Sequence, residues 1–128
     1  MKNLHDEIVK ADITPEKIVK SFQNIVKILE LEDKTAMTFE VEYEGDDYSA
    51  SLDMNAVLID DFGVDDSLWE RIRETNLTSE FLLTLVKKLE RYLKETDQTL
   101  YKVPLPIGLK PINKGCTFSL DLRVYRSE

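Results

Sequence analysis

The chain is poor in the residues from which most catalytic and metal sites are built. It has one cysteine, Cys116, and one histidine, His5. A lone cysteine makes no internal disulfide, which points to a reducing compartment, and the expected location is cytoplasmic. One Cys and one His do not furnish a structural zinc site, which takes four such ligands. Nucleophilic catalysis by this pair would have to bring together opposite ends of the chain. Cys116, beside Gly115 at a strand start, reads as a small buried or edge thiol, and His5 as part of a frayed terminal segment. The four glycines are not spaced as a phosphate loop or a dinucleotide fingerprint. No cofactor or metal is therefore expected, and no catalytic residue is assigned.

Long apolar runs are also missing. Nothing approaches the roughly 20 residues a membrane-spanning helix needs. Met1 to Ala11 carries Lys2, Asp6, Glu7 and Lys10 where a secretory signal would be apolar. Neither a signal peptide nor a membrane association is expected.

Positive charge is scarce in one long stretch. From Thr35 to Glu70 there are eleven acids and no Lys or Arg. The formal net charge is −8, and it is uneven: residues 34–75 hold twelve acids and three bases, residues 76–128 six acids and nine bases. An acidic middle beside a mildly basic end argues against broad binding to nucleic acid or anionic lipid, and leaves room for a basic protein.

What is present is strong periodicity. Thr14-Pro15-Glu16 opens a helix with a cap, a proline at the first position and an acid at the positive end of the dipole. Ile18, Phe22, Ile25, Val26 and Leu29 then recur at helical spacing to about Leu31. A shorter helix is expected over residues 4–11. Met37, Phe39, Val41 and Tyr43 alternate with Thr38, Glu40 and Glu42. After the turn-forming Glu44-Gly45-Asp46-Asp47, the residues Tyr48, Ala50, Leu52, Met54 and Ala56 alternate with Ser49, Ser51, Asp53 and Asn55. This is an antiparallel hairpin with one buried face, and Glu40, Glu42 and Asp53 are expected on the solvent side.

Leu58 to Val64 reads as a linker. Ser67-Leu68-Trp69-Glu70 is a capping box that opens a short helix, and Thr78 or Ser79 caps another, with Phe81, Leu82, Leu85, Val86, Leu89 and Leu93 as its stripe. These stripes and Trp69 read as core rather than as a cofactor site. Asn76-Leu77-Thr78 matches a glycosylation sequon, but Asn76 reads as a turn residue. Pro104, Pro106 and Pro111 confine residues 101–111 to an edge strand or an extended loop. Residues Thr117 to Arg126 form a last strand that pairs with the hairpin and sets Arg123 near Glu40 or Glu42. The predicted architecture is a single α+β domain of two layers, an antiparallel sheet of three or four strands with helices on one face.

Three features bear on function. Asp60, Asp61, Asp65 and Asp66 are dense enough to weigh as a cation site, but their spacing is not that of an EF-hand, and acids ahead of a helix suit its dipole. The segment Tyr101 to Pro111 either packs its apolar residues across the end of the core or forms a binding loop or homodimer contact, with Leu105 and Ile107 as contacts. The acidic hairpin is either a solvated face or a docking surface for a basic protein, through Glu40, Glu42, Glu44, Asp46 and Asp47. The function expected is that of a non-catalytic binding or regulatory protein, inhibitor-, immunity- or chaperone-like. A self-associating assembly protein of a phage or mobile element, and a small carboxylate-based enzyme or ligand-binding domain, are the alternatives.

Overall fold

The structure, a computed structural model, describes residues 3–58, 67–105 and 116–127. In chain order the elements are α1 (Leu4–Ala11), α2 (Pro15–Leu31), β1 (Ala36–Tyr43), β2 (Tyr48–Leu58), α3 (Ser67–Arg73), α4 (Ser79–Thr96), β3 (Leu100–Leu105) and β4 (Cys116–Arg126). The linker beyond Leu58 and the segment after Leu105 lie outside the described residues. The strands make one antiparallel sheet in the order β1-β2-β4-β3. The expected two-layer α+β plan is the one observed. No helix among the described residues is long and apolar enough to cross a membrane.

Local signals set the helix ends. Asn3 accepts from the backbone N–H groups of His5 and Asp6 at the start of α1. The Thr14 hydroxyl accepts from Lys17 N–H at 3.2 Å, and the Thr78 hydroxyl accepts from Phe81 N–H at 3.2 Å. Each supplies a partner to a first-turn donor that the helix cannot pair internally. At the other ends the chain turns through left-handed residues. Asp12, Asp33 and Asp97 have φ of 48°, 53° and 52°, a region where Asp is tolerated better than most residues. Three of the acids are thus placed by backbone geometry. Asn76 accepts from Thr78 N–H through its carbonyl at 3.0 Å, the expected turn.

The core lies between the helices and one face of the sheet. Phe22, Ile25 and Leu29 of α2 and Val86 and Leu93 of α4 are buried with Ala50, Leu52, Met54 and Ala56 of β2 and Phe118, Leu120, Leu122 and Val124 of β4. α2 packs over β1 and β2, and α4 over β4 and β3. Phe118 is held between two aromatic rings: Phe22 stacks on it at 4.5 Å and Trp69 leans against it at 5.4 Å. Trp69 is therefore core, and it ties α3 to the sheet.

Two connections lock α1 in place. The Ser79 hydroxyl donates to the Ile8 carbonyl and accepts from Ile13 N–H, both at 2.7 Å, so the residue after the α4 cap bolts α1 to α4. His5 Nε2 lies 2.5 Å from Glu90 Oε1 on α4. The frayed terminus expected from the sequence is instead a packed helix, because Leu4 and Ile8 are buried and His5 has a partner on a distant element.

α1 also reaches the hairpin turn. A Cβ added at Gly45 would sit 2.4 Å from the Tyr48 carbonyl oxygen and 2.7 Å from Leu4 Cβ. Backbone and a packed side chain leave no room to yield. Gly45→Ala is expected to destabilise the protein by about 1–3 kcal/mol, measured by urea unfolding, as overpacking of a close contact does.

Candidate protein-binding surface

β2 departs from the expected simple alternation. It lies between β1 and β4, and its residues are buried on both faces: Ser49, Ser51 and Asp53 are 5%, 0% and 5% exposed. Asp53, expected on the solvent side with Glu40 and Glu42, is thus a buried carboxylate. The side chains of neighbouring strands cover it. Across the sheet, Glu40, Asp53 and Asp121 stand opposite one another in register, as do Glu42, Ser51, Arg123 and Lys102 in the next row.

Like charges in direct cross-strand opposition repel, and two cations offset that. Lys102 Nζ lies 3.5 Å from Asp121 and 3.9 Å from Asp53. Arg123 extends over β2: its Nε donates to the Ser51 hydroxyl at 3.0 Å and lies 3.8 Å from Asp53, and its Nη2 reaches Glu40 at 3.6 Å. The Ser51 hydroxyl donates to Asp53 at 3.0 Å. The predicted Arg123–Glu40 pair is present, as one branch of this wider network. Arg123 also stacks over the Tyr125 ring at 5.5 Å, and its position over β2 explains why Ser51 is sealed from solvent.

The acids singled out in the sequence are placed as follows. Glu40, Glu42 and Glu44 are exposed along and just beyond β1, and Asp46 and Asp47 are exposed in the turn. Asp46 and Asp47 line a cleft of about 260 Å³ together with Asn3, Leu4, His5, Tyr48 and Glu90. Glu90, on α4, joins them with no sign of it in the sequence, because no periodicity connects α4 to the hairpin turn. Leu105 is buried at 6% exposure in the core, so it serves packing; Ile107 lies outside the described residues. So does the aspartate cluster of residues 60–66. Among the described residues no group of three or more His, Cys, Asp or Glu could hold a metal ion.

A half-exposed aromatic joins the acids. On β1 the apolar row is only partly covered, and Phe39 is 44% exposed while its β2 partner Met54 is 2% exposed. The alternating apolar pattern predicts Phe39 on the buried face; it lies instead at the rim of the sheet, where the helix layer does not cover it fully.

Two tyrosines report the electrostatics here. Burial pushes the Tyr43 hydroxyl above its ordinary pKa. Burial also raises that of Tyr125, helped by the Glu42 and Glu44 carboxylates and opposed by Arg123 and by a hydrogen bond with Ser49. The native state thus holds these protons more tightly than the unfolded chain. The stability this contributes is complete below about pH 10, the unfolded tyrosine value, and is lost as pH rises through the native pKa values.

In an alkaline titration followed by tyrosinate absorbance, Tyr43→Phe and Tyr125→Phe are each expected to remove a late-ionising component. Arg123→Met is expected to destabilise by about 3–5 kcal/mol in urea unfolding, because it removes the nearer cation from a buried carboxylate; adding Asp53→Asn should recover part of that loss. A comparison of the chain with protein-family models, with curated proteins and with solved structures finds no match.

Proposed function

We propose that this chain is a non-catalytic binding protein of regulatory type, which engages a basic protein through the acidic surface of the β1–β2 hairpin. The observation that carries the reading is the cleft at the hairpin turn. Asp46 and Asp47 from the turn and Glu90 from α4 line one concavity. His5, in the same cleft, already contacts Glu90; a partner's lysine or arginine side chain entering the cleft would offset the remaining repulsion between the Asp46 and Asp47 carboxylates and this pair. Glu42, exposed on the adjoining strand, extends the same negative field, and the run from Thr35 to Glu70 has no cation of its own to neutralise it. Arg123 and Lys102, on the strands beside the hairpin, are engaged with Asp53, Asp121 and Glu40. A surface of this kind speeds encounter with an oppositely charged partner and weakens with salt, since screening acts over about 8 Å at physiological ionic strength.

The test uses the variant Glu42→Lys, Asp46→Lys, Asp47→Lys, which spares Glu40 because Glu40 pairs with Arg123. Wild type and variant, shown by circular dichroism to be equally folded, are each used as bait in native lysate at low and high salt. Basic proteins retained by the wild type at low salt, released at high salt and missing from the variant are the expected result. With such a protein purified, the variant's association rate should fall on the order of tenfold and lose its salt dependence. Identical retention by both baits would remove the hairpin from the mechanism.

A further inference from the structure

The two edges of the sheet are built differently. β3 carries Pro104, which has no N–H to offer, and Lys102; both are common devices for closing an edge to further strands. β1 has neither. It is eight residues long, contains no proline, glycine or lysine, and pairs with β2 from Ala36↔Val57 to Tyr43↔Ala50 in one unbroken register without a bulge. Its outer side pairs with no strand among the described residues. Its two faces also differ in chemistry. Toward the helices it presents Phe39, 44% exposed, with the half-buried Met37 and Val41; toward the open side it presents the exposed Glu40 and Glu42.

We infer that β1 accepts an added strand, an extended segment of the basic partner in which apolar residues alternate with lysine or arginine. The added strand's backbone would continue the ladder, its apolar side chains would cover Phe39 and Val41, and its cations would stand opposite Glu40 and Glu42. Charge decides against a second copy of this chain as the occupant. An antiparallel β1–β1 pair that keeps like faces together and is centred on Glu40 sets the two Glu40 side chains directly against each other, and one centred on Phe39 leaves the glutamates of both copies on one face with no cation opposite them, which is unfavourable. The inference rests on the proposed engagement of a basic protein and adds the backbone geometry of that engagement.

The probe is a synthetic eight-residue peptide, the length of β1, alternating valine and lysine. It is compared with a peptide of the same composition with valines and lysines in separate blocks, and with the alternating peptide N-methylated on every second residue. Binding to the full chain is followed by nuclear magnetic resonance. The expected result is cross-strand contacts between the alternating peptide and residues 37–43, with affinity reduced on the order of tenfold or more by N-methylation, which removes several backbone hydrogen bonds, and reduced likewise by Phe39→Lys. Equal binding of all three peptides would overturn strand addition while leaving the charge-based reading in place. No binding of any peptide at low salt would overturn both. Contacts at residues 101–105, or a dimer of the free chain joined through β1 in sedimentation and cross-linking, would overturn the choice of edge or of occupant.

Discussion

The pairing of β2 with β4 is the constraint on which the rest of this structure depends. It runs for eleven residue pairs, from Tyr48↔Arg126 to Leu58↔Cys116, and joins segments from opposite halves of the chain. β1 and β3 each hang on one side of it, and α2 and α4 pack on its apolar face. Because both strands have neighbours on both sides, neither face of β2 stays wet. The apolar side is sealed by the helices. The polar side is sealed by Arg123 and Lys102 lying over Asp53 and Ser51. A carboxylate buried to this degree is strongly unfavourable unless paired and hydrogen-bonded, so the cations of β3 and β4 hold the sheet in register as much as they decorate it.

That requirement sorts the acids into groups with different work. Asp53 and Asp121 belong to the sheet network, and Glu40 shares Arg123 with them. Asp12, Asp33 and Asp97 turn the chain at helix ends. Glu16 and Glu70 hold Arg73 between α2 and α3, Glu16 Oε2 accepting from Arg73 Nε at 2.7 Å, and this partner lowers the Glu16 pKa. Glu42, Asp46 and Asp47 remain on the surface at one end of the hairpin, joined there by Glu90. The net charge of −8 is therefore a poor guide to the strength of a binding surface, and the location of these few carboxylates a better one.

The sheet edges follow the same logic. An exposed strand edge invites pairing, and β3 and β1 meet that hazard in different ways. Pro104 on β3 withholds a donor. β1 keeps its full set of donors and acceptors and is defended against its own copies by Glu40 and Glu42, a defence that does not act against a basic strand. Phe39, left half uncovered at this rim, gives such a strand an apolar contact.

The sequence by itself determined the elements and their inward faces. Thr14-Pro15 and Thr78 mark helix starts because caps are local chemistry, and the alternation in residues 37–56 marks a hairpin because side chains of a strand point to opposite sides. It also confined the proline segment to an edge strand or an extended loop, since a missing N–H excludes the sheet interior, and the part described, β3, is an edge strand. The tertiary structure decided everything that depends on neighbours. Asp53 and Glu40 occupy the same row of the same hairpin, yet one is buried and the other exposed, because β4 with Arg123, and β3 with Lys102 beyond it, lie on the β2 side and nothing described lies beyond β1. Phe39 and Met54 read alike in the pattern and differ in burial for the same reason. His5 reads as a loose terminal residue, and only the packing of α1 against α4 brings it to Glu90 and both of them to the turn. Periodicity reports which way a side chain faces; what covers it is set by strand order, which comes from contacts between residues far apart in the chain.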